Sequence, residues 1–235
     1  MKKVLILVLS NQNAPYDEVV NTSITTWDKE EVEGVETVYY FGEPVKNNTD
    51  KFIYFPVKES YGTIGYKMIY AFDWCLKNKE FDYIARVNSS TYVNKKELLK
   101  YVQQLPNENV FAGLRVEKSV SMDYWNWGGC GLVFSKDVIE KVVKNQEYFE
   151  HNKIEDVAVS HLLNRLNVPY TPGLACSIDK LPNGWRCVAY GSESFEFTEW
   201  EDIKKAKEHF FFRCKHDPDR SVDKFVMHQL LKYLG

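Results

Sequence analysis

Apolar residues along this chain follow two alternating rhythms. Short continuous runs read as strands buried on both faces: KVLILVLS (3–10), ETVYYFG (36–42), KFIYFPV (51–57), FDYIARV (81–87), NVFAGLRV (109–116) and GGCGLVFS (128–135). Between them the apolar positions recur at helical spacing. The segment 15–27 predicts a helix with Pro15 in its first turn, where a missing N–H costs nothing. Segment 63–78 places Ile64, Met68, Phe72, Cys75 and Leu76 on one face, and 155–166 does the same with Val159, Leu162, Leu163 and Leu166. Further helices are predicted over 95–104 and 136–149. Such alternation predicts an α/β fold: a mostly parallel central sheet with helices on both faces. Residues 171–200, rich in Gly, Pro and Ser, predict an irregular or hairpin-like region. No linker divides the chain, so residues 1–235 are expected to form one domain.

Composition narrows the class. At 44% hydrophobic and 15% aromatic residues, the chain can bury a sizeable core, which argues against disorder. A net charge of −3 with an isoelectric point near 6 gives no general attraction to nucleic acid. The start, MKKVLILVLSNQN, has the charged opening of a signal peptide, but its apolar run is short and no small-residue cleavage site follows. A buried first strand is the better reading, and no segment approaches the roughly 20 apolar residues of a membrane span. The five cysteines are odd in number and lack CxxC spacing, which argues against a zinc site or a full disulfide set. Reduced thiols in a cytoplasmic protein are expected.

The chemistry is expected where strands end, since open α/β sheets bind ligands beyond the carboxyl ends of their strands. Phosphate loops, GxGxxG, GxSxG and HExxH are all absent. Three stretches remain: GTIGYKMIYAFDWCLKNKEFDYIARVNSSTYVN (62–94), WNWGGCGLVFSKDVIEKV (125–142) and IEDVAVSHLLNRLNV (154–168). In this order they resemble the Fringe / β1,3-galactosyltransferase family, over roughly residues 60–170. Lys67, Trp74, Tyr92, Val93 and Asn94 fall on matching positions, while Asn88 and Ser90 stand where that family has the two carboxylates of Asp-X-Asp. RVNSS also partly resembles an Arg-X-Asn-X-Ser-Ser type stretch of bacterial and viral relatives.

The resemblance implies a GT-A type, Rossmann-like fold and an inverting glycosyltransferase, with a nucleotide diphosphate sugar as donor and a glycan or related hydroxyl as acceptor. Asp156 would be the general base, accepting the acceptor's proton within hydrogen-bond reach. A helix N-terminus would keep that acid ionised but make it a weaker base. Arg86, Asn88 and Ser90 would lie at the diphosphate, with Lys67 and Glu155 nearby. Gly128 and Gly129 would let backbone approach a sugar closely, and Trp125 or Trp127 would stack on it. Ser10 and Asn11, ending the first strand, would meet the nucleotide base.

The missing carboxylates leave the cofactor open. In the family, Asp-X-Asp holds Mn2+ or Mg2+ against the diphosphate, and neutral Asn88 and Ser90 are poor ligands for a hard cation. Three readings compete: positive side chains replace the metal, another ligand holds it, or catalysis is lost and binding kept. HFFFRCKHDPDRSVDKF (209–225) bears on the first two. Its Arg213, Lys215 and Arg220 can pair with a diphosphate, and His216 is a candidate metal ligand. Asp217–Asp219 has the right spelling in the wrong context.

Each stretch also has a plain structural reading. Asn88–Ser90 fits a capping turn, Glu155 and Asp156 fit ordinary first-turn acids, the tryptophans fit core, and Lys67 and the basic cluster fit solvated faces. A noncatalytic glycan- or nucleotide-binding protein on the same scaffold is the alternative function. A nucleotidyltransferase would need paired carboxylates and a Gly-rich loop. Lacking an anchor or stem segment, the chain is expected to come from a bacterial or viral source, with no nucleic-acid partner.

Overall fold

A computed structural model of the chain describes residues 1–117, 124–190, 193–216 and 220–235, with Glu117, Tyr124 and Trp125 described for backbone alone. The expected architecture is present. Its centre is a seven-stranded sheet, in the order β10-β6-β9-β4-β1-β2-β3. These strands are β1 Val4–Leu9, β2 Val35–Phe41, β3 Phe52–Tyr54, β4 Tyr83–Asn88, β6 Phe111–Gly113, β9 Leu132–Ser135 and β10 Tyr170–Pro172. Every neighbouring pair is parallel except those made by β9, which runs against both β4 and β6.

Strand β1 shows why these segments read as unbroken apolar runs. Val4, Ile6 and Val8 enter one core layer, while Leu5 and Leu7 enter the other. The second layer packs Met68 and Phe72 of helix α2 (Ile64–Asn78) with Val138 of α4 (Lys136–Lys144) and Leu162 of α5 (Glu155–Arg165). The first layer takes Val19 and Val20 from α1 (Tyr16–Thr25), Leu98 and Val102 from α3 (Lys95–Gln104) and Val226 from α6 (Ser221–Leu234). Each such fully buried aliphatic contributes about 1.5–3 kcal/mol relative to exposure. Helix α3 begins at residue 95, as its pattern predicts, because the Asn94 side chain accepts the Glu97 N–H at 3.2 Å.

One region departs from expectation, and a second settles one left open. The run 109–116 is two strands: β6, and then β7 (Arg115–Glu117), which pairs with β8 (Tyr124–Asn126) in a separate ribbon. In the region 171–200, of the two expectations, irregular or hairpin-like, the second holds. The region carries β11 (Ala175–Leu181), β12 (Gly184–Tyr190) and β13 (Phe195–Phe197), an antiparallel meander. Strands β14 (Phe211–Arg213) and β5 (Thr91–Val93) complete a second sheet in the order β13-β12-β11-β14-β5. Its inner face closes the first core layer with Cys176, Ile178 and Phe212.

All five cysteines are buried free thiols. Among the described residues, no helix is long and apolar enough to cross a membrane.

Candidate functional site

The second sheet places the site. Strand β4 ends at Asn88, Ser89 and Ser90 turn the chain, and β5 starts at Thr91. Strand β14 pairs antiparallel with β5, Arg213 opposite Thr91, and the Cys214 N–H reaches the Ser90 carbonyl at 2.9 Å. This register brings residue 213 onto the polar corner although 123 positions separate it from Ser90. The Arg213 Nη1 donates to Ser90 Oγ at 2.6 Å.

A cavity of about 360 Å3 opens beyond the carboxyl ends of β1 and β4. The strand-end residues Ser10, Asn11, Asn88 and Ser90 line it, together with Arg213, Lys215 and Arg220. Glu59, Tyr61, Lys67 and Tyr16 also line it. The strand-end residues are partly spoken for. Ser10 Oγ donates to the Val8 carbonyl at 3.1 Å, and Asn11 Oδ1 accepts the Asn13 N–H at 2.8 Å. The Asn88 Oδ1 is buried with no partner.

The cations differ in how they are neutralised. Lys67 is buried, donating to the Ser10 carbonyl at 2.8 Å and pairing with Glu59 at 2.7 Å. Burial holds its pKa below the ordinary lysine value against the pull of Glu59. Arg220 pairs with buried Asp223 at 3.1 Å and lies over the Tyr16 ring at 5.2 Å. Arg213, only 8% exposed, has no carboxylate within ion-pair distance among the described residues. Its Nε is buried without a partner, and burial pushes its pKa down.

Arg86 requires a correction. It was expected at the diphosphate, but it is 1% exposed and does not line the cavity. Its Nε donates to Tyr40 Oη at 3.3 Å, its Nη1 to the Gly128 carbonyl at 3.0 Å, and its Nη2 pairs with Glu155 Oε2 at 3.2 Å. Each of the three guanidinium nitrogens thus has an internal partner. Glu155 is likewise internal rather than substrate-facing. Burial pushes its pKa up to about 7 despite Arg86, and its Oε1 has no partner.

Asp156 is reached through the same cluster. Its Oδ2 accepts the Gly128 N–H at 3.0 Å and its Oδ1 the Val157 N–H at 2.9 Å. At 7% exposure it is buried and is not among the residues that line the cavity. The link is Tyr61, a lining residue 71% exposed. The Tyr61 hydroxyl is held above its ordinary pKa by partial burial, then by the Asp156 and Glu155 carboxylates, with Arg213 opposing. Tyr61 therefore feels both the acid and the arginine. Burial raises the pKa of Asp156 against the lowering pull of the Gly128 N–H and Arg86. Burial therefore outweighs the helix-start influence expected to weaken this base.

The glycines make room for this acid and for Trp127. A Cβ on Gly128 would stand 2.9 Å from Asp156 Cβ, and one on Gly129 would stand 2.5 Å from Trp127 Nε1. Thr91 Oγ1 donates to the Gly129 carbonyl at 3.2 Å, tying this turn to β5. Trp127 is half-buried against the core, edge-on to Tyr190 at 6.4 Å, and lies off the cavity. The Trp125 side chain and Asp217–Asp219 lie outside the described residues.

His216 also stands off the cavity. Its Nδ1 lies 2.7 Å from the Cys214 carbonyl and 3.1 Å from Asp223 Oδ1, its Nε2 is buried without a partner, and its ring meets Trp185 edge-on at 6.1 Å. Among the described residues, no three His, Cys, Asp or Glu side chains group to hold a metal ion. Sequence reasoning missed Glu59, Tyr61, Tyr16 and Tyr40. Tyr16 opens α1, Glu59 and Tyr61 precede α2, and Tyr40 lies on β2, and no local pattern marks any of them.

No protein-family model matches the chain, and no curated protein matches it. Among solved structures, the fold is similar to the crystal structure of a glycosyltransferase involved in the glycosylation of the major capsid of PBCV-1. That likeness has a TM-score of 0.53 at 9% identity, over 95% of this chain and 99% of that one. Weaker likenesses reach a putative glucose-1-phosphate thymidylyltransferase from Bacillus anthracis (TM-score 0.41, 10% identity, 73% of this chain and 87% of that one). The glycosyltransferase GlyE of Streptococcus pneumoniae TIGR4 stands similarly (TM-score 0.41, 12% identity, 73% of this chain and 45% of that one), and at 0.41 neither bears on the fold.

Proposed function

We propose that the protein is an inverting glycosyltransferase that moves a sugar from a nucleotide diphosphate sugar to a hydroxyl of a glycan or related acceptor. The observation that carries this reading is the cavity at the carboxyl ends of β1 and β4, lined by a guanidinium, Arg213, that has no carboxylate partner among the described residues, with a carboxylate, Asp156, whose charge reaches the lining Tyr61. A fold shared with a glycosyltransferase over nearly the whole of both chains supports it.

In this reading Arg213, Lys215 and Arg220 face the diphosphate, and Ser10 and Asn11 lie towards the nucleotide. The acceptor oxygen attacks the anomeric carbon from the side opposite the leaving group. The bond from that carbon to the diphosphate oxygen breaks, its electron pair leaves with the nucleotide, and Asp156 takes the hydroxyl proton. A base raised by burial is better matched to that transfer than an ordinary aspartate. Lys67, paired with Glu59, holds the end of β1 through the Ser10 carbonyl.

A noncatalytic binding protein on the same scaffold is the second reading, favoured by the recessed position of Asp156. Replacing Asp156→Asn separates the two, with transfer assayed over a panel of nucleotide sugars and donor binding measured by calorimetry. Loss of a general base predicts turnover about 100- to 10,000-fold lower with binding kept. Turnover equal to wild type removes the base assignment, and binding of donors without transfer in the wild type favours the second reading.

A further inference from the structure

The resemblance to Asp-X-Asp enzymes implies a divalent cation at residues 88 and 90, and the residues present do not fit one. Asn88 and Ser90 are neutral, whereas hard cations prefer charged oxygens. Ser90 Oγ already accepts from Arg213 Nη1 at 2.6 Å, so a cation on that oxygen would sit against a guanidinium. Both described carboxylates close to the cavity's cations are engaged: Glu59 with Lys67 at 2.7 Å, and Asp223 with Arg220 at 3.1 Å.

The geometry points to Arg213 as the resident cation of this corner, a diphosphate anchor that works without a protein-held divalent metal. The inference rests on the glycosyl-transfer reading above and adds how the donor's charge is met. Three observations support it. Arg213 is buried yet has no carboxylate partner among the described residues, an arrangement costly to a free protein and repaired by an anionic ligand. Its own Nε donor is buried and unpartnered, and so free to meet an anionic oxygen. The β5–β14 register fixes the arginine's backbone directly across from the corner, so little ordering is required when a ligand arrives. A guanidinium also suits a diphosphate chemically, through paired charge-assisted hydrogen bonds.

Isothermal titration with UDP, GDP, CDP, ADP and dTDP tests this, each in EDTA and in Mn2+, on the wild type and on Arg213→Gln and Arg213→Lys. The inference predicts that at least one nucleotide binds with a dissociation constant in EDTA within about threefold of that in Mn2+. It further predicts that Arg213→Gln weakens this chelator-resistant binding by about 10- to 100-fold, as loss of a hydrogen bond to a charged group requires. Arg213→Lys should fall between, and it serves as the folded control if the Gln variant does not fold. Binding only with Mn2+, or equal binding by both variants in EDTA, overturns the inference and leaves the glycosyl-transfer reading standing. No binding of any nucleotide under either condition overturns that reading itself.

Discussion

Two buried arginines lie on either side of the same polar corner, and they are solved in opposite ways. Arg86 is closed off: a carboxylate, a carbonyl and a phenol oxygen meet its guanidinium, and the cluster holds the turn that grips Asp156. Arg213 is left open, with one serine hydroxyl as its side-chain partner among the described residues. Burying a guanidinium is costly unless a counter-charge comes with it. At Arg86 the protein supplies that charge, which marks a structural brace. At Arg213 no described carboxylate lies within ion-pair distance, which marks a place for a ligand. Burial alone would have grouped the two, and partners separate them.

The largest expected effect breaks the closed side. Arg86→Met strands the buried Glu155 carboxylate and should lower unfolding free energy by about 3–5 kcal/mol in urea titrations. A loss below about 1 kcal/mol would show the brace to be dispensable. Donor affinity in the folded fraction should change little, because Arg86 does not line the cavity.

A smaller effect sharpens the same side through pH. Glu155 titrates at about 7 in the folded protein against an ordinary 4.5, so between those values the folded state holds the proton that the unfolded state has released. Stability from this group is full below pH 4.5 and falls as pH rises through about 7. The Glu155→Gln variant lacks that fall. Relative to wild type it should therefore gain about 2–3 kcal/mol between pH 5 and pH 8. A stability difference that stays flat over this range would show Glu155 to be ionised throughout.

Much of the frame was legible because local pattern and tertiary burial agree. Strand β1 is apolar at every position since both its faces are covered, and α3 starts where Asn94 caps it. The second sheet was not legible. Strands β5 and β14 are three residues each, too short for any periodicity, and β5 lies inside a stretch whose polar residues suggest a turn. Within the site, Arg213 was found by charge clustering and Asp156 by resemblance. Their supports were hidden, since the Lys67–Glu59 pair joins a helix to the loop before it and Tyr40 reaches Arg86 from another strand. Arg86 itself misled: an arginine at a strand end reads as a ligand contact until its internal partners are seen.

The contrast between the two arginines is tested most directly by the melting behaviour of Arg213→Met, with and without a saturating nucleoside diphosphate in EDTA. Freed of an uncompensated buried charge, the unligated variant should be at least as stable as wild type, by up to about 2 kcal/mol. Wild type should gain about 2.7 kcal/mol from ligand at 100 times its dissociation constant, and the variant at the same concentration far less. A variant that is less stable than wild type, yet stabilised equally by the nucleotide, would make Arg213 a structural residue like Arg86 and contradict the account.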